Sequence, residues 1–523
     1  MSNESTKKVL SHRKDLRFKL VLEGAIIGVL CSLVLVLNRV IVNYLFPLFK
    51  KLYSFASLSF GNMILVLLIL AFLGALVGFM VRREPMISGS GIPQVEGELI
   101  GKLKMNWLRI LIYKFLGGVI TLGAGLSLGR EGPSVQMGAA IGEGFSKCLK
   151  RINIEKKYLI TSGASAGLAA AFNAPLSGVI FALEEVHKSF SPLVLVSAMA
   201  ASLVADFISK QFLGMNPSLG IENVPVLPLK YYWLLIVLGV VLGVLGAIFS
   251  KGILKVQSFY GKFKKVPVEI KVMIPFLITG VLGIFMPIIL GGGHELIMDL
   301  TTKSFPIKLL LALLLIKFFL TIISFGAGTP GGIFFPLLLL GAIVGNIVGL
   351  VSFISFGVPK EYIVDFVILA MAGNFASIVK APITGIILIT EMTGSFEHML
   401  ALSVVVIISY VTSDILKSEP IYESLLERWI EKAGSSVEEP SNNKTLLEVG
   451  VELGSYAEGK KIKEVKWPEK ALLVAIKRGN NEIIPKGSTE IQNGDYLVVM
   501  VDESISSEVL EEIQFLTSSK DSI

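Results

Sequence analysis

A glutamate stands between two glycines in Gly129-Arg130-Glu131-Gly132-Pro133, at a predicted helix start inside a chain apolar enough to be largely membrane. An ionisable residue there is expensive to bury, which marks it as functional. The stretch behind it, Ser134 to Gly142, is rich in small residues that pack closely in lipid, and its N-terminus carries positive partial charge. That end attracts anions, and Glu131 is a built-in one. Gly89-Ser90-Gly91-Ile92-Pro93 and Gly331-Gly332-Ile333-Phe334-Phe335-Pro336 are two further glycine-rich helix starts. Their exposed amides form anion-binding nests, and Ser90 adds a hydroxyl donor. A backbone site built from several such segments strips water from an anion without a buried Lys or Arg, whose full charge would bind the ion too tightly for fast release.

These segments need a membrane scaffold, and the composition supplies one. The chain is 53% hydrophobic and 17% charged, with 51 glycines and a mean hydropathy of +0.72, unlike soluble domains. Apolar runs recur from 20–46 to 399–416, those at 159–183 and 363–390 among them, many near the roughly 20 residues that a spanning helix needs. Breaks at Gly, Pro or a lone polar residue point to half-helices around a cavity. Lys7, Lys8, Arg13, Lys14, Arg17 and Lys19 precede the first run and place the N-terminus in the cytoplasm. That run lacks the cleavage pattern of a secretory signal and is expected to be retained. Cys31 and Cys148 make no disulfide framework, and Gly293-His294-Glu295 lacks the second His of a zinc helix, so no metal is expected.

The chain repeats itself. Ala174-Pro175-Leu176-Ser177-Gly178 through Glu184 recurs as Ala381-Pro382-Ile383-Thr384-Gly385 through Glu391, and Pro133 to Gly142 recurs as Pro336 to Gly345. The expected organisation is a tail at 1–19, a membrane domain at 20–430 in halves of about 20–225 and 226–430, a polar linker at 431–445 and a different domain at 446–523. Paired interrupted segments in two halves point to a binding site at the repeat interface. The repetition by itself leaves open whether the halves are inverted or parallel. In the last domain, 472–476 and 496–501 read as buried strands, with turns at Gly479-Asn480-Asn481 and Asn493-Gly494-Asp495. That domain is net acidic while the membrane part is net basic, which fits membrane topology and anionic lipid rather than nucleic acid.

The three ordered motifs and the duplicated length resemble the CLC family of chloride channels and chloride/proton antiporters over about 20–430. The resemblance implies an all-α polytopic membrane protein with an inverted-repeat fold, multi-pass in the cell membrane, with both termini cytoplasmic and a pore in each subunit of a homodimer. It implies that Ser90, Gly91 and Tyr422 of Glu419-Pro420-Ile421-Tyr422, with the amides of Ile333 and Phe334, hold the central anion. Glu131 matches the gating glutamate, and Glu185 the inner glutamate that delivers protons in antiporter members. Glu184 and its repeat mate Glu391 read as structural acids, capping or bridging. Ser90 in place of Pro fits chloride over nitrate, and the intact first motif together with Tyr422 argues against the fluoride-exporting branch. The implied function is proton-coupled chloride antiport without a cofactor; the alternative is a passive voltage- or pH-gated chloride channel.

Residues 446–523 resemble the RCK_C (TrkA_C) domain through Gly459-Lys460-Lys461-Ile462, 475–479, 483–485 and 494–499, which implies a small α+β cytoplasmic regulatory module. Such domains pair across a two-fold and in relatives bind cyclic di-AMP, here expected at Val474, Ile476, Lys477, Arg478, Ile483, Ile484 and Pro485. Two rival classes remain weaker. Gly163-Ala164-Ser165-Ala166-Gly167 spells a hydrolase nucleophile elbow but lies in a small-residue run suited to helix packing. A cation channel would need carbonyl filter loops of the Thr-Val-Gly-Tyr-Gly kind, absent here.

Overall fold

The computed structural model describes residues 2–221, 224–433, 444–479, 481–502 and 506–518. The chain divides into two units, Met1–Glu431 and Lys432–Ile523. The first is all helix, and its elements come in two successive sets of eight. The first set is α1 (Ser2–Ala56), α2 (Phe60–Arg83), α3 (Ile92–Leu99), α4 (Trp107–Gly123), α5 (Glu131–Cys148), α6 (Asn153–Phe172), α7 (Pro175–Phe181) and α8 (Pro192–Leu213). The second is α9 (Tyr232–Lys262), α10 (Val268–Phe285), α11 (His294–Thr302), α12 (Ile307–Gly326), α13 (Phe334–Phe356), α14 (Ile363–Val379), α15 (Pro382–Thr393) and α16 (Met399–Ile415). A last helix, α17 (Ile421–Ala433), carries Tyr422.

Packing repeats with the sequence. Helix α1 lies on α8 as α9 lies on α16, and α5 lies on α6 as α13 lies on α14. Across the halves α2 meets α10 and α7 meets α15. Small residues permit the closest of these approaches: a Cβ on Gly138 would lie 2.1 Å from the Gly163 carbonyl oxygen, and one on Gly163 2.1 Å from that of Gly138. Ser165, of the elbow-like spelling, is buried within α6 and donates to the Ala198 carbonyl at 3.3 Å. It sits in mid-helix, away from any strand-to-helix turn.

Eight helices among the described residues are long and apolar enough to cross a membrane: α1, α2, α8, α9, α10, α12, α13 and α14. The apolar runs read as 159–183 and 363–390 are each split in two. Asn173 ends α6 and Lys380 ends α14, both with left-handed backbone (φ 56° and 68°). In each case the next residue, Ala174 or Ala381, precedes a proline, which excludes it from the helical region.

The short helices created by these breaks cap each other. Glu391, near the end of α15, accepts from the amides of Leu176 (3.0 Å) and Ser177 (2.7 Å) and from the Ser177 hydroxyl (2.5 Å) at the start of α7. Glu184, just past α7, accepts from the amides of Ile383 (3.2 Å) and Thr384 (2.8 Å) and from the Thr384 hydroxyl (2.7 Å) at the start of α15. Each helix ends beside the other's beginning, so the two run antiparallel. That reciprocity follows from a two-fold relation between the halves, of the kind an inverted repeat has.

The second unit is a four-stranded antiparallel sheet of order β1-β4-β2-β3: β1 (Lys444–Gly450), β2 (Ala471–Arg478), β3 (Asn481–Ile483) and β4 (Tyr496–Asp502). Helix α18 (Ser506–Thr517) supplies Val509 and Ile513 to a core with Val449, Ile476, Leu497, Val499 and Val501. Most of the polar linker expected at 431–445, and Asn480 of one expected turn, lie outside the described residues.

The reciprocal caps generate a prediction. Glu391→Ala and Glu184→Ala each strand backbone donors at a partly buried helix start and are expected to destabilise the chain by about 1–2 kcal/mol. Thermal unfolding in detergent measures this, and Glu391→Gln, which keeps an accepting oxygen, is expected to recover part of the loss.

Candidate functional site

Three helix-starting loops from different parts of the membrane unit are tied to one another by backbone hydrogen bonds. The Gly129 amide donates to the Gly332 carbonyl and the Gly332 amide to that of Gly129, both at 2.7 Å, a one-residue antiparallel bridge between the starts of α5 and α13. The Gly331 amide donates to the Gly89 carbonyl at 3.0 Å and brings in the start of α3. Gly132 stands so close to this third loop that a Cβ would lie 2.7 Å from that of Ser90. The N-termini of α3, α5 and α13 thus converge, and their unspent amides and aligned dipoles favour an anion.

Side chains add to these amides. Ser90 is buried, and its hydroxyl oxygen accepts from the Ile92 amide at 3.3 Å, leaving its proton to donate elsewhere. Gly91 has the left-handed backbone (φ 92°) that starts α3. Ile333 and Phe334 are fully buried, and Phe334 sits among the rings of Phe375 (4.6 Å), Phe172 (5.1 Å) and Phe181 (6.1 Å). Tyr422 is fully buried and its hydroxyl has no partner. Glu131 is fully buried too. Its carboxylate faces the backbone amides of Phe335 and Arg130, yet neither oxygen completes a hydrogen bond of ordinary geometry. Glu185 lies in a single π-helical turn, Ala182–Val186, with one carboxylate oxygen buried and unpartnered. Both carboxylates act electrostatically on Tyr422.

Further residues complete the setting. Lys114 is fully buried on α4 and donates to the carbonyls of Ile87 (2.8 Å) and Gly89 (2.7 Å), pinning the loop that carries Ser90. Lys317 occupies the matching place on α12 and donates to the Gly291 carbonyl (2.5 Å) and the Ser127 hydroxyl (3.4 Å). Lys188 pairs with Glu96 on α3 (2.6 Å) and with Glu423, next to Tyr422 on α17, and so joins these two helices three residues beyond Glu185. On the side of Glu131 a cavity of about 250 Å³ is lined by Arg39, Arg130, His294 and Phe335 among others. Arg39 donates to the Asn173 side-chain oxygen at 3.2 Å, and the Nε atoms of Arg39 and Arg130 have no partner.

Residues 73–414 match the voltage gated chloride channel family, and residues 446–514 match the TrkA-C domain. The chain belongs to the voltage-gated chloride channel family. It is 37% identical over 374 residues to the H(+)/Cl(-) exchange transporter ClcA of Vibrio cholerae, covering 69% of this chain and 79% of that protein. To the transporter of the same name from Salmonella typhimurium it is 33% identical over 385 residues, covering 72% and 81%. Among solved structures it is similar to a slow cyanobacterial Cl-/H+ antiporter, with a TM-score of 0.76 and 31% identity, covering 79% of this chain and 98% of that one.

Within this member of the family, the structure brings Ser90, Gly91, Glu131, Ile333 and Phe334 to the joined loops, while Glu185 and Tyr422 stand near one another. Sequence reasoning missed Lys114, Lys317, Arg39 and Lys188. A signal for the first two was present: each is a lysine flanked by apolar residues in mid-helix, and they stand 203 positions apart, the same offset as Gly129 and Gly332. In the tail, two of the expected ligand residues are otherwise engaged. Ile476 is enclosed in the core, and Arg478 makes a two-pronged ion pair with buried Asp495, at 2.8 Å through both Nε and Nη2. Lys477 pairs with Glu448, and Ile476 faces Ile483 across the β2–β3 ladder. Val474 and Pro485 are half-buried, and Ile484 is exposed.

Lys114→Met leaves the Ile87 and Gly89 carbonyls without their buried donor and is expected to cost about 2 kcal/mol. Thermal unfolding measures that loss, and amide hydrogen exchange should show faster opening confined to residues 89–91.

Proposed function

We propose that this protein exchanges chloride for protons across the membrane. The observation that carries the reading is the pair of buried carboxylates, Glu131 and Glu185, with unpartnered oxygens and within electrostatic reach of Tyr422. Its similarity to H(+)/Cl(-) exchange transporters and to a Cl-/H+ antiporter structure supports it. Chloride is held by the Ser90 and Tyr422 hydroxyls and by the amides at Ile333 and Phe334, in the positive field of the helix starts. Ionised Glu131 occupies the anion path at the start of α5. Protonated, it loses its attraction to those amides and gives way to chloride. Its proton then moves toward Glu185, which connects to the cytoplasm. Arg39 and Arg130 reinforce the exchange, because a protonated Glu131 leaves their guanidiniums uncompensated in the adjoining cavity and favours an arriving anion. A passive chloride channel would use the same anion site without needing Glu185.

On this reading both termini lie in the cytoplasm, and the basic residues before the first span support it for the N-terminus. The assembly is a homodimer with a complete pore in each subunit, its tails pairing across the same two-fold axis. The tail is a sensor for a symmetric nucleotide, cyclic di-AMP, recognised near Lys477 and exposed Ile484 rather than through bulk charge, since the tail is net acidic. The match of 446–514 to the TrkA-C domain supports this role.

Two outcomes are expected. In liposomes under a chloride gradient, Glu131→Gln keeps anion flux and abolishes proton pumping, because the amide mimics the protonated acid; unchanged pumping would sink the mechanism. Titrating the full-length protein calorimetrically should give saturable binding of cyclic di-AMP and none of cyclic di-GMP, and absence of both would leave the tail a structural clasp.

A further inference from the structure

The last three turns of α9, with Arg428 of α17, line a second, open cleft of about 610 Å³ that shares no residue with the cavity beside Glu131. Its walls carry Lys251, Lys255, Lys262 and Arg428, and none of its lining residues is acidic. Lys251 reaches the Leu416 carbonyl at 3.5 Å. Arg428 is built into the cleft: its Nη1 donates to the Leu254 carbonyl (2.7 Å), the Ser258 hydroxyl (3.0 Å) and the Gln257 side-chain oxygen (3.3 Å), which fastens α17 to α9. Four cations in one cleft without a counter-charge repel each other and attract a shared anion.

The helix period identifies that anion's other half. At 100° per residue, positions 244, 248, 251, 255 and 262 fall within about 60° of one another on α9. Val244 and Ile248 are exposed apolar residues inside the spanning part, and the lysines continue the same stripe at the helix end. A ligand matching this stripe has a hydrocarbon chain along the span and a phosphate at its end. We propose that the cleft between α9 and α17 is a binding site for an anionic phospholipid, the headgroup held by Lys255, Lys262 and Arg428 and an acyl chain laid along Ile248 and Val244. Because α17 also carries Tyr422, a lipid bridging α9 and α17 holds the inner wall of the anion site in place. Binding stands apart from the transport reading, whereas the effect on rate rests on it.

The test uses the full-length, delipidated protein. Native mass spectrometry with added phosphatidylglycerol should show a saturable bound lipid, absent with phosphatidylcholine. Lys255→Gln/Lys262→Gln should weaken it by about thirtyfold, at the usual contribution of a lysine beside anionic lipid. Lys264→Gln/Lys265→Gln, in the neighbouring loop, should not. Equal weakening by both pairs would show only a general basic surface and overturn the site. Displacement of the lipid by millimolar inorganic phosphate would overturn the lipid assignment in favour of a free oxyanion. In liposomes, chloride flux by the parent should rise with phosphatidylglycerol content and that of Lys255→Gln/Lys262→Gln should not. A parent flux indifferent to the lipid, with binding intact, would overturn the link to Tyr422; a parent without proton coupling would instead strike the transport reading and leave the site standing.

Discussion

Hydrocarbon offers no hydrogen bonds, so a helix broken inside the membrane must have its freed backbone groups satisfied by other parts of the protein. The membrane unit is organised around that requirement. The break before α5 is closed by the break before α13, through the paired bonds of Gly129 and Gly332. The loop before α3 is held by Gly331 and Lys114, and its counterpart before α11 by the Gly291 amide, which donates to Gly125, and by Lys317. The start of α7 is capped by Glu391 and that of α15 by Glu184. In each case the satisfying group comes from a distant part of the sequence, and most come from the other half. The inverted repeat therefore supplies matched partners for matched breaks.

Once those bonds are made, certain groups remain unspent at the centre. The amides at the starts of α3, α5 and α13 and the Tyr422 hydroxyl are held in place by a scaffold that does not use them. Glu131 and Glu185 are kept buried with open valences, a costly arrangement that a membrane protein retains for function. Rigid loops are what make this tolerable. Fixed donors suit an anion because they need no reorganisation to meet it. Lys188 adds a mechanical link, since its bonds to Glu96 and Glu423 keep the helices bearing Ser90 and Tyr422 in register beside Glu185.

The small second unit obeys soluble rules. Its alternating strands bury one face against α18, and its tight turn at Gly494-Asp495 is locked by Arg478 and by the Gln492 amide donating to Asp495 at 2.8 Å. Arg478, which from sequence looked available to a ligand, is taken up by this turn. A cation's neighbours along the chain do not reveal whether a carboxylate elsewhere has already claimed it.

The sequence by itself determined the class of protein and singled out the glycine-flanked segments that the fold brings together. Composition and apolar runs required a membrane, the glycine-flanked motifs required close backbone approach, and the repeated segments required two related halves; all of these are local or periodic properties. Tertiary structure decided the rest. It split the runs at 159–183 and 363–390 into separate helices, where left-handed turns at Asn173 and Lys380 are followed by helices whose starts are capped by carboxylates from the other half. It turned Lys114 and Lys317 from anomalies in apolar helices into struts for the loops. It gave Glu184 and Glu391 their partners and left both oxygens of Glu131 and one of Glu185 without any. Which buried group is satisfied and which is left free depends on what the folded chain brings beside it, and no spacing along the sequence records that.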